Sequence, residues 1–268
     1  MKGKHLPLSI NAYLFLMHLQ YLSDLHLEFP ANREYLRLNP VAPVADILII
    51  AGDTYYLNKP HVIHEFLDYF SANFRQTYLI PGNHEYYGGH DLNADGFRFR
   101  QNLRDNVTLL NNATEIVDGA RLIFSTMWSD INRHQLEISR GLNDFRLIKY
   151  KGEPLTVASF NALHYQSMDF LRAEIGKPHD GPTVVITHHL PADGCNDPRF
   201  RGSTLNPAFC TDYTDYLTAA DVDAWIYGHS HRNVPDFDLG GTRVITNQLG
   251  YVQYGEQSEF DSGKTIEV

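Results

Sequence analysis

Residues 47–53 read Ile-Leu-Ile-Ile-Ala-Gly-Asp, a short apolar run that ends in a glycine and a carboxylate. An apolar run of this length, rich in isoleucine and closed by glycine, is typical of a buried strand. The glycine lets the backbone turn sharply after the strand. Asp53 is therefore predicted to lie just beyond the carboxyl end of a strand, the edge at which open α/β sheets bind their ligands.

The same pattern recurs four times along the chain. Each further run precedes side chains that bind metal ions well. The runs are 18–22 before Asp24, 78–80 before Gly82 and Asn83, 184–186 before His188, and 224–227 before Gly228 and His229. Because ligands collect at the carboxyl ends of strands, the five sets are predicted to meet at one site.

Apolar residues with helical spacing lie between the predicted strands. They predict one helix through Ile63, Phe66, Leu67, Phe70 and Phe74 and a second through Phe160, His164, Met168, Leu171 and Ile175. Residues 121–127 and 243–246 have the pattern of further strands. The predicted fold class is α/β, a four-layer sandwich of two packed mixed β-sheets flanked by helices.

The composition favours a single domain that acts on small substrates. The chain has 268 residues, of which 43% are hydrophobic, enough to bury a full core. No linker rich in proline, glycine or serine divides it, so one domain over residues 17–268 is expected. The net charge of -10 disfavours an extended grip on a nucleic-acid backbone. A nucleic-acid polymer is therefore not an expected partner, and the oligomeric state is left open.

The sequence predicts a cytoplasmic protein with a disordered N-terminal extension at residues 1–16. Residues 6–22 are moderately apolar and follow two lysines, as in a secretory leader, but no small-x-small cleavage site precedes the first strand. Polar residues interrupt the run, which falls short of the ~18 apolar residues of a membrane span. The two cysteines, Cys195 and Cys210, are too few for a disulfide framework and are expected to be reduced thiols. No membrane contact is expected.

Asp24, His26 and Asp53 have the chemistry of metal ligands. Side chains at positions i and i+2 of an extended chain share a face, so Asp24 and His26 can bind one cation. The two oxygens of Asp53 can bridge two cations, which an imidazole cannot do.

The remaining motifs add ligands of other kinds. Asn83 offers a neutral amide oxygen, and His84 beside it is free for proton transfer. His188 adds an imidazole from the middle of the chain. His229 and His231, two positions apart in a turn, can diverge to different metals.

In this order, the motifs resemble the signature of calcineurin-like metallophosphoesterases, and the resemblance covers residues 17–250. Its elements are Asp24-x-His26, Gly52-Asp53, Gly82-Asn83-His84-Glu85, Thr187-His188 and Gly228-His229-x-His231. Each element alone is weak, but five in order at successive strand ends are specific. The resemblance implies the metallophosphoesterase fold and the hydrolysis of phosphate esters, phosphodiesters foremost, by a hydroxide that bridges two divalent cations.

The resemblance also implies which residues bind the cations. One cation would be bound by Asp24, His26, Asp53 and His231, and the other by Asp53, Asn83, His188 and His229. Asp53 would thus bridge the pair. Members of the family usually bind manganese, iron, zinc or nickel, and mixed nitrogen and oxygen ligands suit all four metals.

By the same resemblance, His84 is the general acid that protonates the leaving group. Family patterns often place aspartate after this histidine, whereas this chain has Glu85, so the hydrogen bond that orients His84 stays open. His189 is an alternative to His188 as a ligand, because neighbours on a strand point to opposite faces. The motif position favours His188.

Residues 128–150 do not follow the strand-and-ligand pattern and are predicted to form a cap over the metals. Their Trp-Ser-Asp and Asn-Asp-Phe-Arg sequences resemble those of a bacterial and phage branch of the family. Asn143 and Arg146 are predicted to contact substrate, Arg146 by holding a phosphate oxygen with its forked donors. An ion pair of Arg146 with Asp144 is the alternative. Tyr86 and Tyr87 are predicted to line the pocket, with ordinary packing as the alternative.

Three functions fit these residues. The favoured one is hydrolysis of a small phosphodiester. A phosphoprotein or phosphomonoester phosphatase on the same scaffold is the alternative. A non-catalytic metal-binding scaffold is disfavoured, because all seven expected ligands and His84 are present.

Overall fold

The computed structural model describes residues 17–200 and 202–268. The extension predicted for residues 1–16 lies outside the described residues. The described strands are β1 (His18–Leu22), β2 (Ile47–Ile50), β3 (Gln76–Leu79), β4 (Phe99–Arg104), β5 (Val107–Asn111), β6 (Ala113–Val117), β7 (Ala120–Ser125), β8 (Lys149–Tyr150), β9 (Glu153–Pro154), β10 (Thr183–Thr187), β11 (Ala224–Tyr227), β12 (Phe237–Leu239), β13 (Thr242–Thr246) and β14 (Thr265–Glu267). The described α-helices are α1 (Pro30–Leu38), α2 (His64–Asn73), α3 (Gln135–Gly141), α4 (Asp144–Leu147), α5 (Val157–Ile175) and α6 (Thr214–Ala219).

The strands form two six-stranded sheets, each with parallel strands at its centre. The order is β14-β1-β2-β3-β5-β4 in the first sheet and β12-β13-β11-β10-β7-β6 in the second. The outer strands β14, β4, β12 and β6 run antiparallel to their neighbours. Strands β8 and β9 form a small separate sheet. Both large sheets are therefore mixed.

Side chains of the central strands alternate between two buried environments. In β2, Ile47 and Ile49 belong to the core between the sheets, whereas Leu48 and Ile50 pack in a second core with residues of α1 and α2. Residues of α5 and α6 form the corresponding core on the second sheet. A strand that is buried on both faces must be apolar throughout, which explains the uninterrupted apolar runs.

The predicted four-layer α/β architecture is confirmed, with helices outside two packed sheets. The strands predicted at 18–22, 47–50 and 224–227 coincide with β1, β2 and β11. Strand β4 is not predicted by the sequence pattern, because three of its six residues are exposed, the others are only half-buried, and it carries no apolar run. Among the described helices, none has the length and apolar character needed to cross a membrane.

Candidate metal centre

The seven predicted metal ligands lie together beyond the carboxyl ends of five strands from both sheets. Asp24 and His26 follow β1, Asp53 follows β2, Asn83 follows β3, His188 follows β10, and His229 and His231 follow β11. Six of them are buried, and the side chain of His231 is 11% exposed. The five strand-end motifs therefore meet at one place, as the sequence pattern predicts.

A first cluster contains Asp24, His26, Asp53 and His231. One ligand atom from each of these side chains lies within 4.8 Å of the others. The Nε2 atoms of His26 and His231 are 2.8 Å apart. His231 Nε2 is also 3.4 Å from Asp24 Oδ1, and His26 Nε2 is 3.7 Å from Asp53 Oδ2.

A second cluster contains Asp53, His188 and His229, whose ligand atoms also lie within 4.8 Å of one another. His188 Nε2 is 3.4 Å from Asp53 Oδ1 and 3.1 Å from His229 Nδ1. The amide oxygen of Asn83 is 3.3 Å from His188 Nε2. The two oxygens of Asp53 therefore face different clusters, which is the arrangement required of a bridging carboxylate.

The chemistry of these atoms fits divalent cations. The outer ring nitrogens are occupied: His26 Nδ1 is 3.0 Å from a carboxylate oxygen of Glu28, His231 Nδ1 is 2.8 Å from one of Glu256, and His188 Nδ1 is 2.9 Å from a backbone carbonyl. A neutral imidazole has one N–H, so these contacts leave a lone pair on each inward Nε2. Lone pairs and carboxylate oxygens converge in both clusters, and only positive charge between them makes that arrangement stable. Carboxylates behind metal-bound histidines are a common feature of metal sites.

The electrostatics of the clusters also favour positive charge. Burial lowers the pKa of His188, but Asp53 outweighs this effect and raises that pKa to about 9. Burial lowers the pKa of His231 as well, and the hydrogen bonds to Asp24 and Glu256 raise it to about 10. Burial acts in the opposite direction on Asp53, yet the surrounding imidazoles, His188 foremost, hold the pKa of its carboxyl well below the ordinary value. A bound cation would take the place of these protons.

The backbone that presents these ligands is unusual. Five of the predicted ligands have positive φ angles: Asp24 (57°), His26 (47°), Asp53 (54°), His229 (79°) and His231 (53°). This left-handed region is uncommon for residues other than glycine, and such conformations cluster at functional sites. Asp24 and His26 therefore converge through a tight turn, not through the strand alternation that the sequence suggested. Backbone hydrogen bonds from Asp24 to Gly52 (3.0 Å) and from His26 to Asp53 (2.9 Å) hold this turn.

His84 lies beside the first cluster. Its Nδ1 is 2.8 Å from Glu28 Oε1, and its Nε2 is 3.1 Å from the hydroxyl of Tyr251. The same Glu28 oxygen contacts His26 Nδ1, so one carboxylate orients two imidazoles. Burial lowers the pKa of His84, but the negative charges of Asp53 and Glu28 outweigh it and raise the pKa above its ordinary value. An imidazole whose pKa is raised in this way has the chemistry of a proton donor.

Glu28 is the orienting acid that the sequence left open. The signal for it is weak: Glu28 stands two positions after His26, continuing the spacing of Asp24 and His26. Glu85, which follows His84, has a different role. It is fully buried and accepts backbone hydrogen bonds from Asp53 (3.0 Å), Thr54 (2.6 Å), Tyr55 (3.3 Å) and Gly82 (2.7 Å). Its carboxyl group therefore ties the loop after β2 to the loop after β3.

A Glu85→Ala variant is expected to be less stable by at least about 4 kcal/mol, because four buried N–H groups lose their acceptor at about 1–3 kcal/mol each. Urea unfolding followed by circular dichroism measures the free energy of unfolding. Glu137→Ala, at an exposed position of α3, serves as the matched control and should unfold like the wild type. Equal stability of both variants would show that Glu85 does not hold the loops.

A cleft of about 260 Å³ opens above the clusters. His84, Tyr87, Asn143 and Tyr251 are among the residues that line it. The predicted substrate contact Asn143 thus lies at the cleft. Arg146 does not line it: the side chain is exposed, and its guanidinium donates to Asn143 Oδ1.

The structure places Tyr86 in the core, the packing alternative, and not at the cleft. Tyr86 is 1% exposed and packs against Trp128 at a ring separation of 6.2 Å, in the core below the cleft. The short 3₁₀ turn His84–Tyr86 sends neighbouring side chains in different directions. Tyr87 lines the cleft instead.

His189 lies outside both clusters of ligand atoms, although its ring packs on that of His229 at 4.1 Å. Its ring packs against Trp128 (5.3 Å) and Phe160 (5.9 Å), and burial lowers its pKa well below the ordinary value. His188 is the neighbour that faces Asp53. The structure therefore places His188 and not His189 in the second cluster, in agreement with its motif position.

Two packed mixed sheets, with carboxylates and imidazoles gathered at their strand ends, define the class of metal-dependent phosphoester hydrolases. The family model for calcineurin-like phosphoesterases matches residues 17–233. The chain belongs to the calcineurin-like phosphoesterase family, whose members typically bind two divalent metals. The family predicted from the motifs is thus confirmed.

Other proteins resemble the chain over most of its length. An uncharacterized protein of Acanthamoeba polyphaga mimivirus is 29% identical over 93% of this chain and 96% of its own. The structure of a phosphopantetheinyl hydrolase from Mycobacterium tuberculosis is similar with a TM-score of 0.67 and 18% identity, covering 94% of this chain and 96% of that one. That similarity shows a shared fold. A dimetal phosphatase from Danio rerio has a TM-score of 0.49 and 15% identity over 87% of each chain.

Proposed function

We propose that this phosphoesterase hydrolyses small phosphodiesters with two divalent cations, manganese, iron, zinc or nickel. The seven ligands would divide as the family resemblance implies: Asp24, His26 and His231 would hold one cation, Asn83, His188 and His229 would hold the other, and Asp53 would contact both. When bound, two such cations polarise phosphoryl oxygens and lower the pKa of water. The convergence of seven electron-pair donors on two neighbouring points supports this proposal.

The charge of the cleft favours a diester over a monoester. No lysine or arginine is among the described residues that line the cleft. A phosphomonoester carries close to two negative charges at neutral pH, because its second pKa is about 6, whereas a diester carries one. A cleft without lysine or arginine, whose positive charge would come from the cations and from His84, suits the singly charged ester better.

The site has room for both organic groups of a phosphodiester. A second pocket of about 200 Å³, lined in part by Phe200, Leu205 and Phe209, adjoins the cleft. Phe209 lines both cavities and packs on His229 of the second cluster at 4.6 Å. His84 lies at the other cluster. A diester can therefore place its leaving group at His84 and its remaining organic group at Phe209.

The cleft residues supply orientation and proton transfer. Glu28 holds the His84 ring, and the Tyr251 hydroxyl meets His84 Nε2 at 3.1 Å. His84 would donate its proton to the departing oxygen as the P–O bond breaks, and the buried clusters limit the access of bulk water. Substrate positioning by Asn143 is part of the proposal, since Asn143 lines the cleft.

A substrate panel tests the proposal. Manganese-reconstituted protein should hydrolyse bis(p-nitrophenyl) phosphate with a kcat/KM roughly tenfold or more above that for p-nitrophenyl phosphate, a difference of about 1.4 kcal/mol in transition-state stabilisation. Cyclic nucleotides, a phosphoserine peptide and a phosphopantetheinyl ester complete the panel, the last because a protein of similar fold carries that substrate in its name. Metal content is measured in parallel, and EDTA-treated protein is the control.

Each other outcome has a definite meaning. Faster hydrolysis of the monoester or the phosphopeptide would show that the protein is a phosphatase and not a diesterase. Two bound metals without turnover on any ester would favour a non-catalytic scaffold. We propose small phosphorylated molecules as partners and the cytoplasm as the location, in keeping with the buried free thiols of Cys195 and Cys210.

A further inference from the structure

Asp144 lines the cleft and lies on the segment 128–150, at the first residue of α4. Its side chain is buried, with the residue only 4% exposed. The amide nitrogen of Asn83 donates to Asp144 Oδ1 at 2.9 Å, and the hydroxyl of Tyr87 donates to the same oxygen. The Asn83 nitrogen also donates to the Tyr87 hydroxyl at 3.2 Å. Both donors of this small network therefore point at one carboxyl oxygen.

The orientation of the Asn83 amide decides whether it can be a ligand. The oxygen and nitrogen ends of an amide are nearly equal in size and exchange places by a 180° rotation. The oxygen end binds cations, whereas the NH₂ end offers only donors. With the nitrogen bound to Asp144, the oxygen must point the other way, and it lies 3.3 Å from His188 Nε2 of the second cluster.

We propose that Asp144 is a positioning residue that holds the Asn83 amide with its oxygen toward the second cation. The inference rests on the proposed two-cation function. It gives the segment 128–150 a role in completing the metal centre itself. The hydroxyl of Tyr87 supports the arrangement, because it donates to the same Asp144 oxygen.

The surroundings of Asp144 separate this role from a surface ion pair. The guanidinium of Arg146, two positions along α4, donates to Asn143 Oδ1, and Arg146 is exposed whereas Asp144 is buried. The Asp144 carboxyl therefore accepts hydrogen bonds from Asn83 and Tyr87 and not from Arg146. Because the Asp144 carboxyl accepts from both partners, it holds the Asn83 side chain in a single amide orientation.

Replacement of Asp144 tests the proposal through metal content. An asparagine at this position can donate or accept, so both orientations of Asn83 become possible. Equilibrium dialysis against manganese, with metal counted by mass spectrometry, should show two ions per wild-type chain. In Asp144→Asn, the affinity of one of the two ions should fall roughly 10- to 100-fold, the usual loss when a group that orients a ligand is removed. The other ion should bind as before.

A role swap distinguishes orientation from general damage. In the double variant Asn83→Asp/Asp144→Asn, the carboxylate at position 83 presents an oxygen to the cation in either orientation, and the amide at position 144 donates to its other oxygen. The second ion should bind again with near wild-type affinity. Asp169→Asn, at an exposed position of α5, is the matched control, and thermal unfolding shows whether each variant is folded.

The outcomes separate the inference from the proposed function. The role of Asp144 would be overturned if Asp144→Asn bound both ions with unchanged affinity. It would also be overturned if the double variant did not regain affinity for the second ion. A wild-type chain that takes up fewer than two ions would overturn the two-cation function first. If Asp144→Asn does not fold, Tyr87→Phe removes one hydroxyl from the network and should weaken one ion only, and equal weakening of both ions would contradict the proposal.

Discussion

An Asp53→Asn variant is expected to bind fewer than two divalent cations and to turn over substrate roughly 1,000-fold or more slowly than the wild type. Asp53 is the residue whose two oxygens face the two clusters, 3.7 Å from His26 Nε2 and 3.4 Å from His188 Nε2. An asparagine presents one oxygen and one NH₂ group, so it can serve only one cluster. A bound metal supplies several kcal/mol of transition-state stabilisation, and each 1.36 kcal/mol changes the rate tenfold.

Metal analysis and kinetics on the same preparation check this result. Asp180→Asn removes a carboxylate at an exposed position and should keep both the metals and the activity. Circular dichroism shows whether Asp53→Asn is folded, which matters because the backbone N–H of His84 also donates to Asp53 Oδ1 at 2.9 Å. Two tightly bound ions in folded Asp53→Asn would show that Asp53 does not need to bridge the two cations.

The sequence predicts the central architecture because the relevant signals are local. Each central strand is buried on both faces, so it appears as an apolar run, and the parallel order brings the strand ends to one edge. Asp53, Asn83 and His188 are therefore found from their positions immediately after such runs. The outer strand β4 gives no such signal, since none of its side chains is fully buried.

The groups that orient the ligands are not predictable in the same way. Glu256 contacts His231 across 25 positions, and Asp144 contacts Asn83 across 61. Such contacts depend on how separate loops pack, and a single sequence has no local pattern that predicts them. The direction of a side chain in a short turn is equally hidden, so the sequence does not show which of Tyr86 and Tyr87 lines the cleft.

A His84→Gln variant is expected to keep both cations and to lose roughly 100-fold or more in turnover, the usual contribution of a general acid. The His84 ring lies outside the two groups of converging ligand atoms that contain Asp53, so its loss leaves the seven metal ligands in place. Its backbone N–H still donates to Asp53 in the variant. Metal content measured with the kinetics separates loss of the acid from loss of the cations, and His61→Gln, an exposed position, is the control.

The leaving group gives this prediction its sharpest form. A p-nitrophenolate departs readily without a proton, whereas an alkoxide does not, so the loss in His84→Gln should be much larger for a dialkyl or nucleoside diester than for bis(p-nitrophenyl) phosphate. A histidine that only positions substrate would slow both esters equally. An equal loss would therefore assign His84 a binding role and leave the proton to water, whereas an unequal loss places the proton on the nitrogen that meets Tyr251.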